Sequence, residues 1–133
     1  MKRIIVIANS KKGKFGLGDY LRILSILPNF KTKQIFWYCD KSIKRIIKYS
    51  NHIKKIFDLR KFSYENYEKK EDLIINFFKT KNLKSNEYSL PNLLKKNVDI
   101  KFSGIDLCKK LMNKFKIYNF KIYSNKNSIK SNR

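Results

Sequence analysis

Asp19 stands between a glycine-bearing loop, Asn9-Ser10-Lys11-Lys12-Gly13-Lys14-Phe15-Gly16-Leu17-Gly18, and an apolar run of helical spacing. A carboxylate at that position has two chemical uses. It can cap the helix, accepting N–H bonds from the first turn and stabilising it by about 1 kcal/mol. It can also act as a general base, taking a proton from a substrate hydroxyl held beside it. Glycines leading into a helix N-terminus further predict an anion site, because unpaired N–H groups and the positive end of the helix dipole face one spot. Lys11, Lys12 and Lys14 add positive charge to it. The spacing of Gly13, Gly16 and Gly18, G-x-x-G-x-G, is neither the dinucleotide fingerprint nor the phosphate-binding P-loop, so a structural turn is the competing reading.

Little else in the chain has the residue types or spacing for chemistry. Cys39 and Cys108 are far apart with no C-x-x-C pattern, which predicts two reduced thiols rather than a zinc site or a disulfide framework. His52, the only histidine, has no Cys or His neighbour, so no metal site is expected. Phe36, Trp37 and Tyr38 read as strand residues, and Tyr64, Tyr67 and Tyr88 as surface positions. A phospho-receiver domain would need clustered carboxylates at strand ends, and the first strand here ends in Asn9 and Ser10.

The elements that must position the loop can be read from periodicity. Residues 3–8 are a continuous β-branched run, the pattern of a strand buried on both faces of a parallel sheet. After the loop, Asp19 is the expected N-cap of a helix carrying Leu21, Leu24 and Leu27 on one side and ended by Pro28. A second unit follows, with a strand at 34–39, a cap at Asp40 or Ser42, and a basic helix burying Ile43, Ile46 and Ile47. Strands are predicted at 53–59, 73–78 and 120–123, a short helix at 62–70, a long loop at 79–100, and a helix at 103–115 with Leu107, Leu111 and Met112 inward. Strand–helix alternation of this kind predicts an α/β fold, a Rossmann-like three-layer sandwich whose mostly parallel sheet has about five strands. Ligands of such sheets sit at the carboxyl ends of the strands, where the 9–18 loop would lie.

At 133 residues the chain has the length of one domain, here expected over 1–124 with a polar tail or linker at 125–133. Hydrophobic residues at 42% and aromatics at 14% argue against disorder. The formal net charge of +22 admits a polyanion-binding surface, yet the lysines are scattered rather than gathered on one face, and Lys outnumbers the better phosphate reader Arg. A codon-driven drift toward Lys, Asn and Ile accounts for it without any partner, and nucleic acid is not the expected ligand. No run approaches the roughly 20 apolar residues of a membrane span. The first apolar run is too short for a signal peptide, so a cytoplasmic location is expected.

The segment from Ile4-Ile5-Val6-Ile7 through Gly18-Asp19 to the helix Tyr20-Leu21-Arg22-Ile23-Leu24-Ser25-Ile26-Leu27-Pro28 resembles the N-terminus of glycosyltransferase family 9, the heptosyltransferase-like enzymes. Later segments are similar to that family's subsequent strands, namely Gln34 through Asp40, Asn51 through Phe57 and Asp72 through Asn76. The run Leu107-Cys108-Lys109-Lys110-Leu111 leading to Phe120-Lys121-Ile122-Tyr123 resembles the helix and strand closing its first domain. The resemblance implies a GT-B fold and an inverting, metal-independent enzyme of lipopolysaccharide or surface-glycan synthesis. A nucleotide-sugar would be the donor, a glycolipid or glycan the acceptor, and no cofactor would be needed. It further implies that Asp19 is the base activating the acceptor hydroxyl and that Ser10, Lys11, Gly16 and Gly18 line the cleft. The chain would then be the acceptor-side half, completed by a C-terminal donor domain and peripheral to the anionic inner membrane. Ser25 occupies the position six residues after the aspartate where that family often has proline. The alternative from a different class is a non-catalytic basic α/β module that binds a polyanion.

Overall fold

The structure, a computed structural model, describes residues 3–12, 15–94 and 104–125. Five strands form one all-parallel sheet in the order β3-β2-β1-β4-β5, with β1 Arg3–Ala8, β2 Ile35–Cys39, β3 Lys55–Asp58, β4 Asp72–Asn76 and β5 Glu87–Ser89. The α/β class expected from the alternation is therefore present. The most uniformly apolar strand, β1, takes the central position, where Ile4, Ile5 and Val6 are fully buried on both faces.

Alternate residues of the strands separate into two layers because side chains point to opposite faces with a period of two. Ile4, Val6, Ala8, Ile35, Trp37, Cys39, Leu73, Ile75 and Phe77 pack on one face with residues of α1 Leu17–Ile26, α2 Lys41–Ile47, α3 Leu90–Leu93 and α4 Gly104–Lys114. Ile5, Ile7, Tyr38 and Ile74 occupy the other face. That face has no α-helix over it among the described residues; two 3-10 turns, Leu59–Lys61 and Tyr64–Tyr67, cover it with Leu59, Phe62, Tyr64 and Tyr67. Phe62 stacks on Tyr67, and Tyr38 and Tyr67 share a hydroxyl hydrogen bond, so the layer is aromatic and polar-tipped. The helix expected at 62–70 is reduced to this turn. No helix among the described residues is long and apolar enough to cross a membrane.

Two strand assignments change. The fifth strand is not at 120–123 but at Glu87–Ser89, inside the segment expected to be loop. Its sequence is polar, yet Glu87 and Ser89 are buried, and Ile74 N donates to Asn86 O to begin the ladder. Residues 120–125 alternate like a strand but run beside α1. Tyr123 N donates to Ser25 O at 2.8 Å, and Asn29 exchanges two hydrogen bonds with the Lys121 backbone at 2.7 and 2.9 Å. Pro28 ends α1, and the strap satisfies one carbonyl of its last turn, Ser25 O, instead of pairing with the sheet. The predicted cap Ser103, the loop residues Gly13 and Lys14, and the tail from residue 126 lie outside the described residues.

Candidate functional site

The strand order places a topological switch point between β1 and β4, because the chain leaves β1 toward β2 on one side and leaves β4 toward β5 on the other. The loops that follow these two strands flank the crevice such folds use. Phe77, just after β4, is fully buried and meets Phe15 edge-on at 5.4 Å and Tyr20 at 4.5 Å between ring centroids. The Tyr20 hydroxyl then donates to Asn9 O at 3.3 Å. Three aromatic rings thus fasten the loop after β1 to the sheet edge.

Asp19 is the third residue of α1, not its cap; the N-cap is Gly16, in extended conformation (φ −87°, ψ 171°). The Asp19 carboxylate reaches back and accepts the Gly16 N–H at 2.9 Å, and Asp19 N donates to Gly16 O at 3.1 Å. That is the reciprocal half of a capping box, and Gly16 has no side chain to supply the other half. One carboxylate oxygen is so engaged. The other makes no hydrogen bond among the described residues, and the side chain is half-buried.

Among the described residues, several amides of the loop expected to bind an anion are already engaged. Ser10 N donates to Asp40 Oδ1 at 2.9 Å, Lys11 N to Asn9 Oδ1 at 2.9 Å, Lys12 N to Asn9 O at 3.1 Å and Gly16 N to Asp19. These four donors are engaged within the protein, and the carboxylate of Asp19 stands at the positive end of α1. Nor do Gly16 and Gly18 exploit glycine's freedom: neither has a positive φ, and an added Cβ at either would meet no atom within 4 Å. Both are exposed, as is Lys11.

Ser10 is tied to the neighbouring strand. Its hydroxyl donates to Asp40 Oδ2 while its amide donates to Oδ1, so Asp40 takes both of its protons. Burial alone would push the Asp40 carboxyl up. The two bonds from Ser10, with help from the amides of Asp40 and Ser42, outweigh it and hold this acid below its ordinary value. Tyr20 is moved the other way, to about 12, first by burial and then by the negative charges of Asp40 and Asp19. The loop mouth therefore combines two carboxylates, a hydroxyl presenting only lone pairs and a phenol that stays protonated. Such a set suits neutral hydroxyl groups better than phosphate.

The structure brings Ser10, Gly16, Gly18 and Asp19 onto one loop–helix element at the carboxyl edge. Asp40, which the sequence assigned only to capping, and Asn9 belong with them. An acidic residue directly after the second strand was the available signal. Among the described residues, three concavities lie elsewhere: about 440 Å³ at the amino ends of β4 and β5, about 280 Å³ between α1, α4 and the strap, and about 580 Å³ at the amino end of β2. None of the three includes Ser10, Asp19 or Asp40 in its lining. Compared with known proteins, the chain matches no family model, no curated protein and no solved structure.

Proposed function

We propose that this chain is a glycosyltransferase-like domain, the acceptor-binding half of an inverting, metal-independent nucleotide-sugar transferase of lipopolysaccharide or other surface-glycan synthesis. Asp19 is its general base. The observation that carries the reading is the Asp19 carboxylate at the switch-point edge, with one oxygen anchored to Gly16 N–H and the other without a hydrogen bond among the described residues. The anchored oxygen fixes the side chain; the second oxygen is available to a sugar hydroxyl.

The carboxylates and the hydroxyl lone pairs of the loop mouth support the acceptor over the donor as the ligand here. A nucleotide-sugar carries a diphosphate, which the carboxylates of Asp19 and Asp40 would repel. A glycan acceptor brings hydroxyl donors, which Ser10 Oγ and Asp19 can accept. Lys11, exposed beside them, can donate to a sugar hydroxyl. The donor site then belongs to a second domain facing this edge, and the enzyme works in the cytoplasm at the anionic inner-membrane surface.

The test is a titration of the isotope-labelled chain with a heptose- and hexose-containing core oligosaccharide, followed by amide chemical shifts. Shifts confined to Ser10, Lys11, Gly16, Gly18 and their neighbours are expected. Shifts only at the amino edge, or none at millimolar glycan, contradict the acceptor reading.

A further inference from the structure

The concavity of about 580 Å³ at the amino end of β2, on the opposite edge from Asp19, is lined by Pro28, Lys31, Thr32, Lys33, Ile35, Asn51, His52, Ile53, Lys54 and Tyr123. Two connections build it. Lys31 and Lys33 come from the turn between α1 and β2, where Lys31 adopts the left-handed conformation (φ 59°) that swings the chain from the end of the helix into the strand. Lys54 comes from the connection between α2 and β3 and is held by its own amide, which donates to Ile35 O at 2.8 Å. The strap closes the third side, where the His52 ring bonds Ser124 O through Nε2 and meets Tyr123 edge-on at 5.8 Å.

The charge of this lining is one-sided. Lys31, Lys33 and Lys54, from two separate connections, line it with Thr32 and Asn51, and no Asp or Glu is among its ten residues. The concavity at β4 and β5 has Glu71 and Asp72 against Lys70, and the one between α1 and α4 has Arg22 alone. The volume falls within the range of small-molecule sites, roughly 300–1,000 Å³. Compact, strongly hydrated ammonium groups around a concavity bind phosphate as point charges.

We infer that this amino-edge cleft binds a phosphate-bearing group, either a soluble phosphate ester or the headgroup of an anionic lipid. The inference is independent of the acceptor reading, since the two sites lie at opposite ends of the strands.

The experiment compares the full chain with two variants of equal charge loss: Lys31→Gln/Lys33→Gln/Lys54→Gln in the cleft, and Lys41→Gln/Lys44→Gln/Lys48→Gln on and just after α2. Inorganic pyrophosphate is titrated at low ionic strength with amide shifts as readout, and phosphatidylglycerol-containing vesicles are tested by co-sedimentation against phosphatidylcholine alone. The expected result is a loss of about tenfold in affinity for the cleft variant and less than about twofold for the control, with shifts at Asn51, His52 and Lys54. Pyrophosphate binding assigns a soluble ester, and binding of the anionic vesicles alone assigns a headgroup. Equal losses in both variants, or no binding of either probe by the wild type, overturn the inference.

Discussion

Asp40 takes both protons that Ser10 offers, its amide N–H on Oδ1 and its hydroxyl on Oδ2, and so joins the loop after β1 to the start of α2 across the carboxyl edge of the sheet. This clamp orients the loop leading to Asp19. It also leaves Ser10 facing solvent with acceptor lone pairs only.

Removing the clamp should show in the pH dependence of stability. Ser10→Ala deletes the hydroxyl and lowers stability by about 0.5–1 kcal/mol, after allowing for solvent screening of a part-exposed pair. Asp40 is depressed in the folded chain, so the bond contributes in full above the ordinary aspartate value of 3.8 and is lost as pH falls through the lower folded value. Urea melts of both proteins should therefore differ at neutral pH and converge in strong acid. A gap that persists unchanged at the lowest pH contradicts the assignment.

The aromatic anchor of the loop is tested at Phe77. Phe77→Ala removes a fully buried ring in contact with Phe15, Tyr20 and Trp37 and should destabilise by about 3–5 kcal/mol. The milder Phe77→Leu keeps the fold, and amide spectra of that variant should change chiefly in residues 9–20. Unchanged loop resonances would mean that Phe77 supports the core without holding the loop.

Glu87 is the buried carboxylate that makes β5 possible. It accepts from Tyr64 Oη and Asn76 Nδ2, both at 2.7 Å, and from Lys84 N at 3.1 Å, with Lys79 Nζ at 3.7 Å. Glu87→Ala strands those donors and is expected to cost about 3 kcal/mol or more in denaturant unfolding, well beyond an exposed Glu65→Ala control. Equal small effects at the two positions would refute the network.

The thiols should be inert in the native state. Burial is the leading cause that raises Cys39 to about 12 and Cys108 to about 11, and both are free and buried. Labelling with a thiol reagent at mildly alkaline pH should be slow without denaturant and fast for both cysteines in urea. Rapid labelling of either in the folded chain contradicts the packing described here.

Much of this fold is written in periodicity. The β-branched run of β1 and the inward Leu107, Leu111 and Met112 of α4 are buried as their spacing predicts, whereas of the leucines expected on one side of the first helix Leu24 and Leu27 are buried and Leu21 only partly. What periodicity could not supply was β5, whose Glu87-Tyr88-Ser89 has no apolar signal and is held by side chains from Tyr64 and Asn76. Conversely, Phe120 and Ile122 carry a strand-like alternation, yet their segment runs beside α1, where Tyr123 N donates to Ser25 O. At the site, the position of Asp19 beside the first turn was legible from Gly18-Asp19. Its pairing with Gly16, and that of Ser10 with Asp40, depend on which strand lies next to β1, and local sequence does not encode strand order.

The most direct measurement is sugar transfer from a nucleotide-sugar to a glycolipid acceptor by the native protein, isolated through a tag on this chain so that any completing domain or subunit accompanies it. Asp19→Asn retains an oxygen able to accept the Gly16 N–H, so thermal stability should stay close to wild type while a base is lost. Turnover in that variant should fall about 10²–10⁴-fold. Turnover equal to wild type in a folded Asp19→Asn protein, or no transfer by the wild type to any glycan acceptor, would contradict it.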